Sequence, residues 1–196
     1  MTEGGCPADR DHRTPETLVA CGLAISLSVV LSHFRLFRMP YGGSVTLGSS
    51  VPVWIVARKY GVWEGLKAGF GAGTILMLLG TQKIHPVQVL LDYPFAWGAL
   101  GLAGLTTSSV KGGLLSVAVR YALQVLSGVV FFASMAPKGS DPLVYSLLYN
   151  LYLIPDLAVA IVFMAWIEIR APHLWKGVNR PGGREPVGEP PPSSRV

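Results

Sequence analysis

Residues 143–167 read LVYSLLYNLYLIPDLAVAIVFMAWI, an apolar run in which Asp156 is the single charge. A helix rises about 1.5 Å per residue, so about 20 such residues cross a hydrocarbon core about 30 Å thick. This run is long enough to do so. Outward from it, five more apolar segments lie near 17–34, 44–57, 64–80, 87–104 and 112–135. Six runs predict an all-α integral membrane protein, a six-transmembrane-helix bundle. The second run has only 14 residues and contains Pro52, so it is expected to be kinked or incomplete.

Composition agrees. The 196 residues are 51% apolar and 14% charged, with a mean hydropathy of +0.46. Of the 27 charged residues, 14 fall within 17–169, and the other 13 crowd the two ends. That distribution excludes a soluble enzyme domain, a disulfide-stapled secreted protein and a nucleic-acid binder as leading readings. Cys6 and Cys21 support neither a disulfide framework nor a metal site. Residues 1–16 are expected to form a disordered leader, 17–169 the membrane domain, and 170–196 a basic, Pro/Gly-rich tail.

The net charge of +5 is a topology signal. Arg10, Arg13, Arg58, Lys59, Lys67, Lys111, Arg170, Lys176 and Arg180 fall at the termini and even-numbered loops, against Arg35, Arg38, Lys83 and Lys138 in the others. The bias predicts a multi-pass protein of the cell membrane, in contact with lipid, with both termini cytoplasmic. Gly65, Gly69 and Gly73 form a small-residue stripe for close helix packing.

Charges inside spans are costly, so Asp92, Arg120 and Asp156 need an account. Arg120 and Asp156 either pair across helices or serve a pathway. Asp92, in the outer third of the fourth run, has no basic residue at its depth; it reads as a site for a cationic ligand or as a wet helix-end acid. Helical spacing adds companions: Gln88 one turn before Asp92; Arg120, Gln124, Ser127 and Phe131 on one face; Tyr145, Tyr149, Tyr152 and Asp156 on another, with Asn150 adjacent. A carboxylate with amides, phenols and rings can hold a cation and a heteroaromatic ring. No G-x-x-x-x-G-K-[ST], G-x-S-x-G or H-E-x-x-H motif occurs, and four scattered histidines make no metal cluster. No enzyme, cofactor or metal is expected.

Four stretches are familiar together: Met39–Gly48 (MPYGGSVTLG), His85–Pro94 (HPVQVLLDYP), Arg120-Tyr121 with Ser127-Gly128 and Phe131-Phe132, and Tyr145–Asn150 (YSLLYN). In this combination the chain resembles the thiamine-specific substrate-binding (S) component of energy-coupling factor transporters, over about residues 15–170. The resemblance implies a six-helix protein that captures thiamine in an outward-facing pocket and docks on an energising module of one transmembrane subunit and two ATPases. It implies that Asp92 takes the place of a ligand-binding acid, usually Glu, and that Tyr145 and Asn150 bind the pyrimidine. Gln124 falls where a His is common, Phe132 where a Trp can stack, and Gly48 where some members carry a second Glu. Ala20 and Ala24 match a small-residue docking stripe on the first helix.

The expected function is therefore uptake of thiamine or a close precursor by a binding subunit, with Asp92, Gln88, Gln124, Phe132, Tyr145 and Asn150 as binding residues. Loops 35–43 and 81–86 are candidate gates. Two rivals stand: a stand-alone transporter of a small cationic or heteroaromatic solute, with Arg120 and Asp156 as a relay, and a membrane enzyme or assembly factor.

Overall fold

The computed structural model describes residues 15–40, 43–80, 85–132 and 140–175. Helix α1 (Pro15–His33) leads into a two-stranded antiparallel ribbon, β1 (Arg35–Arg38) with β2 (Ser44–Thr46), and then into α2 (Val51–Tyr60) and α3 (Val62–Leu79). The fourth run is one rod of changing pitch: α4 (Pro86–Leu90), a π turn (Leu91–Phe95), α5 (Ala96–Gly98) and a 3-10 segment (Ala99–Leu105). It is followed by α6 (Ser109–Phe131), α7 (Pro142–Asn150), α8 (Leu153–Arg170) and a 3-10 turn, Pro172–Trp175.

Each of the six apolar runs contains a helical body, but the chain is mostly helical and not all-α. The 44–57 run is split: Ser44–Thr46 is a strand, and Pro52 sits in the first turn of α2, where its missing N–H has no helical partner to lose. The ribbon occupies much of what was expected to be a loop, with Arg35 paired to Thr46, Phe37 to Val45 and Arg38 to Ser44. Its positive-φ Gly43 (φ 72°) lies beside the ring of Tyr152, where any Cβ would collide. At the ends, α1 begins at Pro15, inside the expected leader, and Pro172–Trp175 is ordered structure inside the expected tail.

Four helices among the described residues are long and apolar enough to cross a membrane: Pro15–His33, Val62–Leu79, Ser109–Phe131 and Pro142–Arg170. Their outward faces are apolar, with Leu23, Leu27, Leu78, Leu126, Val162 and Ile169 all more than half exposed. A surface of this kind is built for lipid.

The glycine stripe does the packing expected of it. A Cβ on Gly65 would lie 3.0 Å from the Gly101 Cα, one on Gly69 3.1 Å from the Gly98 Cα, and one on Gly73 2.9 Å from the Pro94 Cα. Helix α3 and the rod therefore touch backbone to backbone over three successive turns. This fixes the depth and rotation of the π turn that carries Asp92.

Charged groups gather at one end of the bundle. Tyr60 donates to Glu16 at 2.9 Å, Lys67 pairs with Glu64 at 2.6 Å, and Arg58 pairs with Glu168. The start of α1, the end of α2, the start of α3 and the end of α8 thus share one end. Arg10, Arg13, Lys83, Lys138, Lys176 and Arg180 lie outside the described residues.

Candidate functional site

Asp92 sits on the π turn. Pro94 has no N–H to return to the Leu90 carbonyl, and the helix widens over Leu91–Phe95 instead of continuing as α. Gln88, one turn earlier and 1% exposed, donates its amide to Asp92 Oδ2 at 2.6 Å. The fully buried Ser127 hydroxyl of α6 lies beside the same carboxylate and closes no hydrogen bond of its own. The acid is held by neutral groups, and no ion pair engages it among the described residues.

The tyrosines of α7 and of the turn before α8 complete the surroundings. The Tyr145 and Tyr149 rings are tilted with centroids 6.3 Å apart, and the Tyr149 hydroxyl lies within electrostatic reach of Asp92 and against the Gly43 backbone. Tyr152 donates to Gln124 Oε1 at 3.2 Å across to α6. Asp92, Gln88, Ser127, Tyr145 and Tyr149 are thus brought together, with Gln124 joined through Tyr152. The ribbon lies over the tyrosines.

Other expected residues are placed differently. Asn150 is buried at the end of α7, and its amide donates to the Ser146 carbonyl at 2.9 Å, so part of its hydrogen-bonding capacity serves its own helix. Phe132 is half-buried at the C-cap of α6, while the neighbouring Phe131 stacks on His85 with centroids 4.9 Å apart. Ala24 is 4% exposed and Ala20 leans on the same cluster with Val56 and Ala68. Within the chain that stripe packs against α2 and α3. Residues 81–84 of the second candidate gate lie outside the described residues.

The Arg120–Asp156 pair does not form. Asp156 Oδ1 accepts from both the backbone N–H and the hydroxyl of Thr46, each at 2.7 Å, and Thr46 in turn meets the Ser49 hydroxyl at 2.8 Å. Arg120 lies over the Trp97 ring, 4.6 Å from its centroid, with Nε and Nη1 buried and without hydrogen bonds. Sequence reasoning missed both partners. The Gly42-Gly43 turn signal could have announced the hairpin that delivers Thr46; nothing local marks Trp97.

Two other spaces lie among the described residues. One, of about 360 Å³, is lined by Arg58, Thr107, Ser109, Glu168 and Trp175 at the charged end. The other is an apolar groove of about 450 Å³ between α3, the rod and α6. Neither is lined by Asp92. No group of three or more metal-ligating side chains occurs among the described residues.

Residues 18–176 match the thiamine transporter protein family (Thia_YuaJ). The chain is 35% identical to the thiamine transporter ThiT of Bacillus subtilis over 183 residues, which is 84% of this chain and 94% of that one. It is 30% identical to the thiamine transporter ThiT of Lacticaseibacillus paracasei over 158 residues, 69% of this chain and 75% of that one. Among solved structures, ThiT from Listeria monocytogenes superposes with a TM-score of 0.73 at 19% identity, covering 82% of this chain and 97% of that one. The fold is shared.

Proposed function

The chain belongs to the thiamine transporter protein family, and we propose that it is the membrane subunit that captures thiamine or a close precursor for uptake driven by a partner ATPase module. Membership makes it a transport protein and not an enzyme. The observation that carries the ligand is Asp92: an acid on a π turn that, among the described residues, meets neutral groups, the Gln88 amide at 2.6 Å and the Ser127 hydroxyl, with the Tyr93 and Tyr149 phenols near it. A thiazolium cation supplies the charge that the protein leaves out, and tyrosine rings add cation–π attraction. Tyr145, Asn150 and Gln124 would hydrogen-bond the aminopyrimidine, and Phe132 would stack. The bundle spans the cell membrane six times, with the Arg58–Glu168 end and both termini in the cytoplasm. The ribbon resting on Tyr152 is the gate.

The absent phosphate loop fits this reading, since ATP is consumed by partner subunits. The relay of the stand-alone transporter reading is not assembled in this conformation, where Asp156 is engaged by Thr46. Titration of the detergent-solubilised chain with thiamine, followed by intrinsic fluorescence or heat, tests the proposal. Saturable binding at micromolar ligand is expected; its absence would sink the thiamine assignment.

A further inference from the structure

Arg120 is the buried group that the site does not use. It is 5% exposed within an apolar bundle, and two of its guanidinium nitrogens have no partner. The Trp97 face offsets only part of what an unpaired interior charge costs. Ionisable groups inside a membrane bundle pair with one another or mark a functional element.

Helix geometry identifies that arrangement. Contacts between α6 and the α7–α8 limb run antiparallel: Ser146 donates to the Val125 carbonyl, Tyr152 to Gln124, and Ser109 to Glu168. Asp156 follows Tyr152 by one helical turn, and Arg120 precedes Gln124 by one. On antiparallel helices those steps lead to the same level, one turn below the Tyr152–Gln124 bond. Asp156 is thus bound to Thr46 of the ribbon and lies at the level of Arg120 on α6. It is 4% exposed and at present spends one oxygen, Oδ1, on both Thr46 bonds.

We propose that Asp156 is a positioning residue with two alternative partners: clasped on Thr46 it holds the ribbon over the tyrosines, and turned to Arg120 it releases the ribbon so that ligand can enter and leave. Each partner compensates the loss of the other, so neither position leaves the carboxylate unpaired in the interior. The ligand's own contacts stay the same. What changes is the rate of passage, and this inference rests on the reading of the ribbon as a gate.

The test pairs thiamine-release rates, from stopped-flow fluorescence, with a spin-label distance between positions 37 and 143, whose native side chains Phe37 and Leu143 are each 49% exposed; Cys6 and Cys21 are first replaced by Ser. Arg120→Gln removes the releasing partner and is expected to slow release roughly tenfold and narrow the distance distribution. Asp156→Asn keeps an acceptor for Thr46 but loses the charge that draws it to Arg120, and should behave the same way. Thr46→Val should do the reverse, with faster release and a broader distribution, and Arg120→Lys should return both readouts towards those of the unaltered chain. Unchanged release and distance in Arg120→Gln and Asp156→Asn would overturn the proposal, as would a shift of Thr46→Val in the same direction as Arg120→Gln. Without thiamine the distances still read the latch, so failure of the latch and failure of thiamine binding are separable.

Discussion

At one end of the bundle Arg58 is held from four sides: Glu168 and Ser109 accept from one amino group, the Thr107 carbonyl from the other at 2.6 Å, and the Trp175 ring lies 4.5 Å from the guanidinium. Beyond it, among the described residues, Arg120 has a ring but no hydrogen bond, and Asp92 has an amide but no cation. Both arginines stack on a tryptophan, so stacking does not separate them. The presence of a carboxylate does. A closed cluster stabilises the fold whatever the ligand does, whereas an open one stores an interaction for something that arrives or moves.

Four substitutions probe that contrast. Asp92→Asn should have the largest effect, weakening thiamine binding about thirtyfold or more, the scale on which a desolvated charge pair loses a partner, while melting temperature holds. Equal affinity in the variant, measured by calorimetry, would remove the acid from the site. Gly73→Leu forces a side chain against the Tyr93 and Pro94 backbone, and overpacking of this kind costs about 1–3 kcal/mol. Both the melting temperature and the affinity should fall, because the π turn must shift; a stable variant with native affinity would break the link between stripe and site. Arg58→Met should cost about 1–2 kcal/mol of stability, discounted because Glu168 is 34% exposed, with thiamine affinity unchanged. Should affinity fall while stability holds, the Arg58 end would belong to the functional cluster after all. The smallest effect is expected from Tyr152→Phe, which loses the bond to Gln124 and with it about 0.5–1.5 kcal/mol of binding, a change of about two- to thirteenfold visible by titration.

Much of the architecture was legible. A run such as 17–34 or 112–135 declares a span by length and apolarity alone, and Gly65, Gly69 and Gly73 announced a close packing that the rod supplied. The ribbon was hidden because strands of four and three residues carry too little alternation to read, and Arg35–Arg38 is exposed throughout. The Ala20–Ala24 stripe shows the ambiguity of small-residue patterns. Spacing says that something packs closely there, and only the structure shows that α2 and α3 do.

For the site, spacing correctly grouped Gln88 with Asp92, since one helical turn separates them, and their bond follows. It could not decide what Arg120 and Asp156 meet, because their partners lie in distant parts of the sequence. The Asp156 contact with Thr46 spans 110 residues. The sequence by itself determined that this is a membrane protein with six apolar runs, and which few polar groups the interior must tolerate, because hydrophobic length and buried charge are local quantities. Only the tertiary structure decided which of those groups are satisfied: pairing depends on distance in space, and here it gives Asp156 to the ribbon and leaves Arg120 Nε and Nη1 without a hydrogen bond among the described residues.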